Sequence, residues 1–250
     1  MYTEINTKLK IYMTNWLLFM FFLVSAMIVV GGLTRLTDSG LSITQWELFK
    51  GILPPLNENS WNNYFNLYKK IPQYSLINYN MTLEEFKIIF YWEYVHRNLG
   101  RLIGIFFLIP LIYFHYTNKI EKKYLNICYL ILFLIITQGV VGWLMVKSGL
   151  INVTTVSHYR LSIHLSIALI IISTIFWLIL NLRYKTFKRF FHFSNENLPY
   201  QFLIFIIFVQ IILGAFVSGL DAGKIYQSWP LMGSTYFPDD TEINNFKNFF

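Results

Sequence analysis

Four uninterrupted apolar runs, each long enough to cross a bilayer, limit what this chain can fold into more than any other feature. They are Trp16 to Leu33, Tyr124 to Val146, Leu161 to Leu182 and Phe202 to Leu220. A helix rises ~1.5 Å per residue and the hydrocarbon core is ~30 Å thick, so about 20 mostly apolar residues make one crossing. Only 13% of the 250 residues are charged, roughly half the share found in soluble domains. Lipid is therefore the solvent these runs are written for. The first run follows Lys8 and Lys10, but it is long for the core of a signal peptide and no small-residue cleavage site follows it, so it reads as a retained helix.

A fifth span is less regular. Leu102 to Phe114 supplies only 13 residues, too few to cross. The helix has to extend backward through Trp92, Glu93, His96, Arg97 and Arg101. Ionisable groups in a membrane helix are costly and face a bundle interior or a polar cavity. This segment is the first pointer to function.

The net charge of +7 does not imply nucleic-acid binding, because the basic residues are spread among the links between spans. Lys8 and Lys10, then Lys119, Lys122 and Lys123, then Arg183, Lys185, Lys188 and Arg189 all fall on one side. The excess of Lys and Arg in cytoplasmic links makes that side cytoplasmic, with the N-terminus inside. The loop from Thr34 to about Phe90 then lies outside. Its mixed charges, aromatics and Pro54-Pro55 pair predict an ordered cap. Cys128 is the single cysteine, which excludes an intrachain disulfide and a cysteine metal cage.

The chain also repeats itself. Gly31–Trp46 (GGLTRLTDSGLSITQW) aligns without a gap with Gly214–Trp229 (GAFVSGLDAGKIYQSW), with identities at Gly31/Gly214, Asp38/Asp221, Gly40/Gly223 and Trp46/Trp229. Both segments are the outer end of an apolar helix running into its loop, and both helices enter from the same side, so the repeat is a parallel one. The fold expected is an all-α integral membrane protein. Residues 1–182 form an N-terminal four-helix transmembrane bundle with its outer loop at 34–90. Residues 183–250 hold an inner loop, the fifth span and the outer loop of an incomplete second bundle. The counterparts of His96 and His164 fall at positions 279 and 347, past Phe250, so the expectation is a chain truncated after its fifth span or completed by another chain.

His96 and His164 lie at matched depths near the outer ends of two spans that run the same way. Two imidazoles projecting inward at one depth suit bis-histidine ligation of heme in a bundle. Buried histidines bonded to carbonyls are the alternative. Gly100 and Gly104, one and two turns after His96, clear a channel along its face, and Ala168 follows His164 by one turn. His158 points away from His164 and reads as interfacial; His115 and His192 read as solvated. Glu93 shares the His96 face and suits proton transfer at a porphyrin edge. Arg97 and Arg101 suit heme propionates, or else pair with Glu93 or snorkel to the interface.

The segments Glu93-Tyr94-Val95-His96-Arg97-Asn98-Leu99-Gly100-Arg101, Gly32-Leu33-Thr34-Arg35-Leu36-Thr37-Asp38-Ser39-Gly40-Leu41-Ser42 and Tyr159-Arg160-Leu161-Ser162-Ile163-His164-Leu165 resemble the heme A synthase family, in its alphaproteobacterial and mitochondrial branch. The extracellular cysteine pair of the other branch is lacking. The resemblance runs over almost the whole chain. It implies an eight-helix protein of two four-helix bundles, with heme O as substrate in the first and heme b in the second. It implies oxidation of a ring methyl of heme O, through hydroxylated intermediates, to the formyl group of heme A for cytochrome oxidase assembly. His96 and His164 would be the axial ligands, Glu93 catalytic, and Arg97 and Arg101 cofactor-binding. The heme b site would fall in the missing half. Expected partners are the lipid bilayer, heme O synthase, an electron donor and a further copy of the chain. The expected location is the bacterial cytoplasmic membrane, or alternatively the mitochondrial inner membrane. A non-catalytic b-type cytochrome, an inactive fragment and a transporter are the competing readings; charges near one interface and the lack of broken helices at mid-membrane disfavour the last.

Overall fold

The computed structural model describes residues 2–45, 50–118, 120–150, 154–184, 188–190, 192–225 and 227–236, with side chains left aside at 2–7 and 50. Among these the structure is all helical apart from one isolated bridge between Met232 and Thr235. Five helices are long and apolar enough to cross a membrane. They are α1 (Tyr2–Leu36), α4 (Leu83–Thr117), α5 (Lys122–Gly149), α6 (His158–Arg183) and α7 (Leu198–Gly219). Two short helices, α2 (Glu58–Tyr68) and α3 (Pro72–Leu76), sit between α1 and α4.

The helix carrying Glu93 and His96 starts earlier than the apolar pattern suggests. Thr82 and Glu85 form a reciprocal capping box, so α4 begins at Leu83 and the expected loop gives up its last turns to it. Pro110 lies inside α4 and has no N–H to give to the carbonyl of Phe106 one turn back. The indole of Trp16 on α1 donates to that carbonyl at 2.8 Å instead. In lipid a freed backbone carbonyl needs such a partner, and here the repair also ties α1 to α4.

Helices α1, α4, α5 and α6 close a ring in which α1 and α5 each pack against both α4 and α6. This places α4 and α6 at opposite corners. Helix α7 packs against the outside of α6. At the end away from the 37–82 segment, Met13, Leu17, Met20, Phe107, Leu111, Ile131, Ile175 and Leu178 make a tightly buried core. There Lys10 donates to Glu121 at 2.7 Å, and that bond, then the one from Lys123, holds the Glu121 carboxyl below its usual range. The other end carries a cap with its own core of Leu41, Trp61, Phe65, Tyr68, Ile71, Phe86, Ile89 and Phe90. Within it Tyr68 donates to Gln73 at 3.1 Å and accepts from Asn78 at 2.8 Å, while Gln73 donates to the carbonyl of Asp38 at 2.9 Å. Burial pushes the Tyr68 hydroxyl above its ordinary pKa.

The two repeated segments have one backbone conformation. Asp38 and Asp221 both adopt left-handed φ, 51° and 52°, a region that aspartate tolerates better than most side chains. Thr37 N donates to Leu33 O and Leu220 N to Phe216 O, each at 3.0 Å; Asp38 N donates to Arg35 O and Asp221 N to Ser218 O, each at 3.2 Å. These four bonds are pairwise equivalent under the 183-residue offset that also separates Arg35 from Ser218. Arg35 joins the two segments directly, pairing with Asp38 at 2.9 Å and Asp221 at 3.0 Å and donating to the Ser218 carbonyl at 2.6 Å. Burial raises the Asp221 carboxyl, but bonds from Lys224 and Arg35 outweigh it and leave the group below its ordinary pKa. Trp46 lies outside the described residues, as do Glu47, Lys119 and Lys185, and Trp229 is exposed.

Candidate functional site

Between the bundle core and the cap lies a layer where none of the four ring helices fully buries an apolar side chain. On α1 it runs from Val24 to Thr34, on α4 from Glu93 to Ile103, on α6 from Ser162 to Ile171, and on α5 from Ile131 to Gly149. At ~1.5 Å per residue the first three gaps are each about 15 Å long. Interiors are normally packed to crystal-like density, so a common gap on four helices marks a site. His96 on α4 and His164 on α6 both stand in it, on the two diagonal corners of the ring.

Each imidazole rests on a glycine of a neighbouring helix. A Cβ at Gly31 on α1 would lie 3.2 Å from Nε2 of His96, and one at Gly142 on α5 would lie 2.9 Å from Cε1 of His164. Any larger residue at these positions would displace the rings, which is why glycine stands there. Nδ1 of His164 is buried without a hydrogen-bond partner, as is Oε1 of Gln138 on α5. Carbonyl pairing, the alternative to ligation, is within reach of the His164 ring at the Gln138 backbone, although Nδ1 itself has no partner. A Cβ on Gly104 or Gly139 would meet nothing within 4 Å, so both positions border open space, whereas Gly100 is covered by the Met27 methyl at 3.4 Å. The channel expected along Gly100 and Gly104 is thus partly closed at its first glycine.

Glu93 is buried, 2% exposed, and accepts from four donors. Oε2 takes Ser42 Oγ and the backbone N–H of Ile43, each at 2.7 Å; Oε1 takes Arg97 Nε at 2.9 Å and Nη2 at 2.5 Å. The Ser42 hydroxyl also has the Ile89 carbonyl within reach at 3.2 Å. Arg97 bonds the Ile43 carbonyl at 2.8 Å, and Arg101 bonds the Gly51 carbonyl at 3.1 Å and Asn98 at 2.7 Å. Tyr94 donates to Ile52 O at 2.6 Å. Of the uses open to the two arginines, this arrangement shows pairing with Glu93 for Arg97, and bonds to the backbone carbonyls of Ile43 from Arg97 and of Gly51 from Arg101. A cleft at that junction is lined by Ile43, Gly51, Leu53, Tyr94, Arg97 and Arg101.

The other histidines lie elsewhere. His158 is wedged between α6 and α7, with Tyr159 and Phe216 around its ring and its Cβ 2.6 Å from where a Gly219 Cβ would be. His115 bonds Tyr129 at 2.5 Å at the far end. Among the described residues no three His, Cys, Asp or Glu side chains group as a metal cluster. Sequence reasoning overlooked Gln138 and Gly142; Ser42 was visible in the segment that carries the resemblance and Gly31 in the repeat, but both without a role.

The fold and the site together define a multi-pass helical membrane protein with His96 and His164 on diagonal helices of a four-helix ring. Residues 14–250 match the family model COX15-CtaA, cytochrome oxidase assembly protein. Heme A synthase of Pelagibacter ubique (strain HTCC1062) is 56% identical over 237 residues, which are 94% of this chain and 69% of that protein. Heme A synthase of Rickettsia bellii (strain OSU 85-389) is 46% identical over 249 residues, 95% of this chain and 72% of that protein. Heme A synthase of Parvibaculum lavamentivorans is 46% identical over 224 residues, 90% and 64% of the two chains. No solved structure matches. The chain belongs to the COX15-CtaA family of cytochrome oxidase assembly proteins.

Proposed function

We propose that the chain is a heme A synthase that holds heme O in the α1/α4/α5/α6 ring, with His96 and His164 as axial ligands. The observation that carries this is the pair of glycine-seated imidazoles on diagonal helices inside a layer where no ring helix fully buries an apolar side chain. The residues present fit a heme: the ligand set is chemically right, and small residues leave room on both sides of the ring. Heme b, which the resemblance also implies, is assigned to no residue of this chain.

Heme iron supplies the redox chemistry of the reaction. Methyl-to-formyl conversion balances as R–CH3 + H2O → R–CHO + 4 H+ + 4 e−, so an electron acceptor and a proton exit are both required. Glu93, one helical turn before His96, is the proton acceptor in this reading. Both of its oxygens are occupied, and it gains a lone pair when the Ser42 hydroxyl turns from Oε2 to the Ile89 carbonyl, which needs only rotation about the Ser42 side chain. Arg97 holds the other oxygen, with its Nε and Nη2 converging on Oε1 as two charge-assisted bonds. Arg97 and Arg101 act on heme indirectly in this reading, by holding the backbone at Ile43 and at Gly51 beside α4.

In this reading the chain sits in the bacterial inner membrane with its N-terminus in the cytoplasm. Lys8, Lys10, Lys122, Lys123, Arg183, Lys188 and Arg189 gather at the end opposite the cap, which supports that orientation. The test is direct. Purified protein loaded with heme O should show a low-spin spectrum that His96→Ala and His164→Ala each remove, and an electron acceptor should convert bound heme O to a formyl product. A low-spin spectrum that survives both substitutions overturns the site; binding without formyl product overturns the enzyme and leaves a heme carrier.

A further inference from the structure

Gln138 is a polar side chain in the middle of a membrane helix, and no step above uses it. It lies on α5 one turn before Gly142, so the two share a face. That face meets His164: the Gly142 position abuts the imidazole, with Nδ1 3.5 Å from where a Cβ would be, and the Gln138 backbone carbonyl lies within hydrogen-bond reach of the same ring. Gln138 Oε1 and His164 Nδ1 are both buried and both without a partner. One is an acceptor and the other carries a proton in one of the two neutral tautomers. A buried polar atom left unpaired costs about 1–3 kcal/mol, so a single bond between them would relieve two penalties at once.

We propose that the side-chain carbonyl of Gln138 takes the Nδ1–H of His164 and thereby holds the ring with Nε2 towards the interior of the bundle. Gln138 is then a positioning residue for an axial ligand. Metal-bound histidines commonly donate their second ring N–H to a carbonyl or carboxylate, which sets the tautomer and the basicity of the ligand. The inference rests on His164 being a heme ligand, and it adds what orients it and tunes it. No side-chain hydrogen bond to His96 is seen in the described structure, so under this proposal the two ligands are unequal: His164 is tethered by a side chain and His96 is not.

Three variants of the full chain, loaded with ferric heme O in the absence of an electron acceptor, test this. Gln138→Leu removes the acceptor and should release heme 10–100-fold faster, the usual cost of losing such a partner, with the midpoint potential moving positive. Gln138→Glu is isosteric, makes the imidazole more basic, and should retain heme while moving the potential negative. Gln138→Asn, too short to reach, should follow leucine. Opposite shifts for Leu and Glu support the proposal, because a merely structural role would not give them. Wild-type potential and heme release in Gln138→Glu, or in Gln138→Leu, overturn it. A low-spin signal that persists in His164→Ala instead overturns the ligand assignment beneath it, so the two failures are distinguishable.

Discussion

Replacing Gly142 by alanine puts a methyl carbon 2.9 Å from Cε1 of His164, where ordinary contact begins near 3.4 Å. The imidazole therefore has to retreat by about half an ångström, the tolerance within which a ligand constellation stays productive. Forcing an extra methyl into a packed position costs about 1–3 kcal/mol. Alanine also returns about 1 kcal/mol of helix propensity over glycine, so the net loss is about 0–2 kcal/mol. Gly139→Ala isolates that second contribution, since nothing lies within 4 Å of its Cβ and only the gain applies. The separation between the two variants should thus be about 1–3 kcal/mol. Gly31→Ala, at 3.2 Å from His96, belongs between them. Thermal unfolding in mild detergent reads the stability order, and titration with ferric heme O reads ligand geometry, with the low-spin band weakened in Gly142→Ala and intact in Gly139→Ala. Equal unfolding midpoints and equal spectra for those two proteins would refute the claim that Gly142 is a seat for the ring.

Glu93→Ala should destabilise the junction of α4 with the cap by about 3–5 kcal/mol, because it strands a buried guanidinium, so turnover is better tested with Glu93→Gln, which keeps the shape and should abolish formyl production while heme stays bound. Arg35→Ala removes both ion pairs at the α1/α7 junction; with one carboxylate about half exposed the loss should be at most about 2 kcal/mol, at up to ~1 kcal/mol for each pair, measured by unfolding and by faster proteolysis near Lys224. Acid should loosen the junctions held by Asp221 and Glu121. Both carboxyls lie below their ordinary values of 3.8 and 4.5, so their stabilisation is complete above those values and disappears as pH falls through the lower folded ones. Unfolding midpoints that stay flat between pH 5 and pH 3 would show that neither pair contributes.

Helix number was legible because length against bilayer thickness is a one-dimensional property of sequence: four spans stand out as runs. The beginning of α4 was not, because Thr82 and Glu85 act through local capping that hydropathy does not register. His96, His164 and Glu93 were readable as chemistry, since ionisable side chains in apolar surroundings are rare. The partners of Arg97 and Arg101 were out of reach. They bond backbone carbonyls of Ile43 and Gly51, groups every residue carries and no pattern distinguishes. Gly142 stayed hidden for a related reason: its importance is the shape of a ring arriving from another helix.

Arg35 and Ser218 occupy equivalent places in the two repeated segments, yet the bond between them runs one way, from guanidinium to carbonyl. An interface between identical halves makes every contact twice, once in each direction. Here the second copy of the contact lacks its cation. Whatever symmetry the repeat began with, the halves are now plug and socket. Arginine at 218 would not restore the missing bond; it would bring a second positive charge to aspartates that one guanidinium already serves. The chain can therefore be thought of as having a polarity across its repeat, with a first half that holds and a second that is held.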